Sequence, residues 1–133
     1  MSENGVITIR SNNSVAQTIT RLITAVTAKG MTIFAVVDHG DGAAIAGMSL
    51  RPTQLVLFGN PKGGTPLMQE NQTAGIDLPL KALAWEDADG KVWLSYNDPA
   101  WIAQRHGLGA ASAAAVNAMT AGLASIAGEA TAK

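Results

Sequence analysis

A chain of 133 residues with no cysteine, 47% apolar and only 14% charged residues fits one domain with a real hydrophobic core. The absent cysteines exclude disulfides, thiolate catalysis, iron–sulfur clusters and cysteine-ligated zinc. Nine basic and ten acidic residues leave a net charge of −1, so no electrostatic footprint points to nucleic acid or to an anionic membrane.

An average soluble domain carries about 25% charged residues. The surface of this chain is therefore charge-poor, and a second copy is the expected cover for part of it. Met1-Ser2-Glu3-Asn4 has neither a basic region nor an apolar signal core, which makes the cytoplasm the expected location.

Val6 to Arg10 alternates like a half-buried strand. Ser14 stands three residues before Gln17, the spacing of a capping box. Val15, Ile19, Leu22, Ile23 and Val26 then form one apolar stripe, which predicts a helix over Ser14–Lys29 with Gly30 as its left-handed cap. Met31 to Val37 reads as an interior strand covered on both faces. Ala43 to Met48 has the composition of a short helix, and Thr53 to Phe58 of another strand.

The next stretch, Phe58-Gly59-Asn60-Pro61-Lys62-Gly63-Gly64-Thr65-Pro66, reads as a glycine-rich loop leading into a helix over Thr65–Thr73. A strand, a glycine-rich loop and a helix start make a common anion holder. A phosphate-binding P-loop requires lysine directly after its second glycine. Here Gly59 and Gly64 have the right separation, but Thr65 follows Gly64 and Lys62 lies inside the loop. What remains is a looser anion cradle of amides near Gly63, Gly64 and Thr65, with Lys62 adding charge. The simpler alternative is a plain turn with Thr65 capping the helix.

Leu80–Trp85 and Val92–Tyr96 flank Asp89-Gly90, a hairpin signal that also accounts for the acidic cluster of Glu86, Asp87 and Asp89. Asp98 and Pro99 have the order of an N-cap and first helical residue. Val116, Met119, Leu123 and Ile126 mark a seam on a last, alanine-rich helix. Gly107–Gly128 carries no charge, yet its alanines are nearly neutral and Ser112, Asn117, Thr120 and Ser125 interrupt it, so no membrane span is expected. This order predicts an α+β fold of two layers, with a mainly antiparallel sheet and helices packed on one face.

Few side chains carry reactive chemistry. Asp38-His39 ends a predicted strand, and a histidine beside a carboxylate can act as general acid/base. Neither HExxH nor a second histidine nearby supports a metal, so no metal or other cofactor is expected. Ser95, Ser112 and Ser125 lack the context of an activated nucleophile. Trp85 and Trp93 read as packing on a sheet face, and Trp101 as a helix anchor.

Asp38-His39, Ala46 to Thr53, Phe58 to Lys62, Gly64 to Met68, Asp77-Leu78-Pro79, Trp85-Glu86-Asp87 and Tyr96 to Pro99 occur in this order. The set resembles the bacterial and archaeal domain-of-unknown-function family 302. It covers about residues 30–108 of the single domain 1–133, leaving residues 109–133 as a C-terminal helical extension. The resemblance implies a two-layer fold with a TATA-binding-protein-like outline, often as a homodimer, and brings no established activity. Asp38, His39, Phe58, Gly59, Asn60, Pro61, Lys62, Gly64, Thr65 and Asp77 match its pattern.

Three functions stay open on the sequence. One is a homodimeric module binding a small anionic ligand at Gly59, Asn60, Lys62, Gly63, Gly64, Thr65 and Asp77, with Asp38 and His39 near the mouth. Another is a small enzyme with His39 as general acid/base beside the loop, oriented by Asp38 or Asp77. The last is a protein-interaction module.

Overall fold

The computed structural model describes residues 4–133; Met1–Glu3, part of the N-terminal segment read for a targeting signal, lie outside the described residues. Five strands form one antiparallel sheet in the order β1-β5-β4-β3-β2. They are β1 (Val6–Ser11), β2 (Thr32–Asp38), β3 (Thr53–Gly59), β4 (Leu80–Glu86) and β5 (Val92–Asn97). The helices are α1 (Val15–Ala28), α2 (His39–Ile45), α3 (Pro61–Glu70), α4 (Pro99–Arg105) and α5 (Ala113–Thr131). Single 3₁₀ turns lie at Gln72–Asp77 and Ala110–Ser112.

Helix α1 follows its sequence signals. Ser14 Oγ accepts the amide of Gln17 at 3.1 Å, and Gly30 takes a left-handed φ of 78° just past the helix. Val15, Ile19, Leu22 and Val26 are buried on one stripe. Each such side chain contributes about 1.5–3 kcal/mol when fully buried.

That stripe packs against the inward residues of three strands: Val56 and Phe58, then Leu80, Ala82 and Ala84, then Val92, Leu94 and Tyr96. Helix α5 lies beside α1 and adds Leu123, Ile126, Ala127 and Ala130 to the same core. With the turn before it, α5 is long and apolar enough to cross a membrane by length and composition. The residues of its predicted seam are turned to the interior, Val116 into a second small cluster with Leu67 and Ala74.

The opposite sheet face carries Trp85 and Trp93, a directly paired cross-strand couple with ring centroids 6.3 Å apart. Trp85 Nε1 donates to Ser95 Oγ, Trp93 Nε1 donates to Asp87 Oδ2, and the Arg10 guanidinium lies 5.7 Å from the Trp93 ring centre. These tryptophans are sheet-face packing, as their alternation suggests. Asp87 also accepts the amides of Asp89 and Lys91, which closes the hairpin turn around Gly90 at φ 79°.

Two expectations fail here. Strand β2 is not interior: it stands at the sheet edge, and Phe34, Val36 and Val37 are exposed. Its apolar run looks like a doubly covered strand because an uncovered apolar edge has the same composition. The glycine-rich segment is also no loop. Helix α3 begins at Pro61, so Lys62, Gly63, Gly64 and Thr65 are all helical.

Candidate functional site

Asn60 starts α3. Its side-chain oxygen accepts the Lys62 amide at 3.0 Å, while its carbonyl accepts the amides of Gly63 and Gly64 at 2.9 and 3.1 Å. Pro61 occupies the first helical position, where a missing N–H costs nothing. The cap is thus Asn60 and not Thr65, and Asn60-Pro61 is the signal that identifies it. These amides are engaged within the helix end, so they form no open cradle for an anion. Pro66 sits within α3 and offers no N–H to the Lys62 carbonyl.

The two glycines do something else. A Cβ at Gly63 would lie 3.6 Å from Met119 Cε, and one at Gly64 would lie 3.4 Å from Leu78 Cδ1. Gly59, at the end of β3, lies between Phe34 and Pro79 in the same way. Bare backbone at these positions leaves a cavity of about 330 Å³, which falls in the range of small-molecule sites. Met31, Phe34, Met68, Leu78, Leu80 and Met119 supply its apolar wall. A second lobe shares Met31, Gly63, Leu80 and Met119 and runs along α5 to Leu123. Lys62 borders that lobe and is the one charged side chain among the lining residues.

The predicted site residues therefore separate. Gly59, Asn60, Gly63, Gly64 and Thr65 line the cavity, and Lys62 lines its second lobe. Asp38 and His39 lie elsewhere. Thr32 pairs with Gly59 and Asp38 with Gln54, so Asp38 is at the far end of β2, about 20 Å from Gly59. Asp38 caps α2 by accepting the Asp41 amide at 2.9 Å, and His39 is exposed. Within one chain His39 does not stand beside the α3 start.

Asp77 is also turned away from the cavity, although the next residue, Leu78, lines it. The Asp77 carboxylate receives Nε2 of His106 at 2.5 Å and Nη1 of Arg105 at 3.1 Å. His106 Nδ1 lies 3.0 Å from Thr73 Oγ1, and the His106 carbonyl accepts the Asn71 side chain at 2.7 Å. His106 and Asp77 are both buried. The partner of Asp77 is thus His106 rather than His39. Sequence reasoning passed over His106 because the two residues sit on separate elements and no local pattern joins them. The cluster fastens the Gln72–Asp77 turn to the end of α4.

Lys81 Nζ donates to the carbonyls of Asp77 and Pro79. Burial lowers its pKa from the ordinary lysine value, against the raising influence of Asp77. Among the described residues no group of three potential metal ligands comes together.

The family model described as "Domain of unknown function DUF302" matches residues 7–126. The chain belongs to this family. It is similar to a crystal structure of an uncharacterized conserved DUF302 protein from Bacillus stearothermophilus, with a TM-score of 0.83 at 17% identity over 94% of this chain and 97% of that one. That likeness shows the shared fold. The DUF302 chain is also 54% identical over 120 residues to proteins named fluoride-specific ion channel FluC 1 of Brucella suis and FluC 2 of Brucella melitensis. The match takes 90% of this chain but only 47% and 44% of those proteins, so the chain spans just under half the length of these curated relatives.

Proposed function

We propose that this DUF302 chain is a homodimeric, cytoplasmic module that binds a small molecule in the cavity between α3, the β2–β3 ends and α5, and regulates through it. The carrying observation is the 330 Å³ cavity floored by helical glycines and walled by apolar side chains. Methionines at Met31, Met68 and Met119 let such a wall adapt to its occupant. With the α3 amides engaged, the ligand's anionic group meets Lys62, and its apolar body fills the cavity. A free inorganic anion lacks the apolar part and has no cradle here.

Thermal-shift titration tests this reading with 1-anilinonaphthalene-8-sulfonate, an apolar anion, against inorganic phosphate. The apolar anion raises Tm and phosphate does not. Lys62→Ala weakens binding severalfold. Equal binding after Lys62→Ala and after Gly63→Leu removes the site.

The relatives named as fluoride channels supply a second reading. A like segment in longer channel-named chains supports a regulatory domain acting beside a membrane partner. Sodium fluoride in the same assay, with sodium chloride as control, separates the two. A fluoride-specific shift favours direct ion sensing and displaces the apolar ligand.

A further inference from the structure

Edge strands are normally blunted by charge, proline or a covering element, because their free backbone groups invite pairing. Strand β2 is an edge strand, and Thr32 to Val37 has neither charge nor proline. Phe34, Val36 and Val37 are 53%, 47% and 38% exposed, and Ile45, Met48 and Leu50 just beyond are 89%, 68% and 51% exposed. No residue of α2 is buried. Together these side chains leave several hundred Å² of apolar surface, on the scale of the ~800 Å² that one partner brings to a standard interface. The other edge strand, β1, contains Arg10.

We propose that a second copy of this chain docks antiparallel along β2, so that each subunit's Asp38–His39 corner closes the mouth of the other's cavity. The charges select the direction. Asp38 and Asp41 both sit at one end of β2 with Arg51 beside them, so that end is net acidic. Antiparallel pairing holds the two acidic ends a strand length apart, whereas parallel pairing would place like charges together.

The site is incomplete without the second copy. Met31 and Phe34 line the cavity, and half-exposed Phe34 sits at the β2 bulge, where its ring approaches Gly59. Pairing centred on Ala35, the strand midpoint, sets Thr32 beside Asp38 of the partner subunit and Met31 beside His39 of the partner subunit. Thr32 pairs on its other side with Gly59. Asp38 of the partner subunit then lies two strand spacings, about 10 Å, from Gly59. Asp38 keeps its capping bond to α2, which leaves the imidazole of His39 to supply a polar end for an otherwise apolar cavity. This rests on the reading of that cavity as the ligand site.

The chain has no cysteine, so engineered thiols report the geometry directly. A Thr32→Cys/Asp38→Cys chain cannot close on itself across about 20 Å, because a disulfide needs Cα atoms within about 7 Å. It forms a disulfide-linked dimer on mild oxidation, while wild type scatters as a dimer at micromolar concentration. Ala35→Cys, on the two-fold axis, gives a linked dimer without touching the α2 cap. Val36→Asp yields a monomer with unchanged circular dichroism and severalfold weaker binding of 1-anilinonaphthalene-8-sulfonate.

Monomeric wild type, or a dimer that neither cysteine variant links, overturns the proposal. A Val36→Asp monomer that binds the probe like wild type overturns the closure and leaves the cavity reading intact. Linked dimers that bind no probe support the interface and remove the ligand reading instead.

Discussion

His106 Nε2 and Asp77 Oδ2 meet at 2.5 Å across 29 residues of chain, and this contact joins those of Arg105, Thr73 and Asn71 in fastening the end of α4 to the turn that leads into β4. Asp77 serves His106 and Arg105 at once, and the Arg105 side chain is 48% exposed. Asp77→Ala leaves the buried Nε2 of His106 without its partner, at a cost of about 1–3 kcal/mol by urea unfolding. Arg105→Ala costs under ~1 kcal/mol, since an exposed cation gains little from its pair. Binding of the apolar probe persists in folded Asp77→Ala. Loss of binding with stability unchanged would mean that Asp77 touches the ligand.

Gly5 and Trp101 form a second fixed contact. Gly5 has φ 77°, and a Cβ there would fall 2.2 Å from Trp101 Cγ. Gly5→Ala therefore loses more than ~1 kcal/mol, from strain and overlap together. In a double-mutant cycle, Trp101→Ala relieves part of that loss, giving a non-additive pair. Additive melting shifts would show that the two do not touch.

Gly63 lies in the first turn of α3 and faces Met119 Cε, which can move. Gly63→Ala gains ~0.5–1 kcal/mol of helix stability while its methyl enters the cavity. Tm rises and probe affinity falls. A more stable protein with unchanged affinity would show that this glycine face is not a ligand surface.

Glu70 joins α3 to the start of α5 by accepting Ser112 Oγ at 2.6 Å and the Gly109 amide at 2.7 Å. The Ser112 hydrogen bond is the main cause that holds its pKa below the ordinary 4.5. The folded state thus binds the proton more weakly than the unfolded chain. The contribution to stability is present above pH 4.5 and is lost as pH falls through the lowered folded value. Glu70→Gln flattens this acid limb in melting curves recorded from pH 6 to pH 3. An unchanged limb would locate the acid sensitivity elsewhere.

Lys81 gives the opposite limb. Its pKa is lowered by burial, so folding disfavours its charged form. Wild type gains stability relative to Lys81→Met as pH rises from the depressed folded value toward 10.5. Parallel stability curves up to pH 10.5 would show that burial does not penalise the ammonium.

Local signals carried much of the fold. The α1 stripe and its Ser14 cap, the Asp89-Gly90 hairpin, the Asp98-Pro99 helix start and the paired tryptophans were all legible, because capping, turn conformation and face alternation act within a few residues. The Asn60-Pro61 cap acts at the same range, but three nearby glycines looked more like a loop than a helix start.

Residue types and their spacing suffice for a two-layer α+β domain of the DUF302 family, poor in charge and without cysteine chemistry. Tertiary structure alone decided that β2 lies at an edge, that Asp77 pairs with His106, and that Gly59 and His39 sit at opposite ends of one strand pair. Such pairings depend on strand order and register, which join residues by distance in space and leave no periodic trace along the chain.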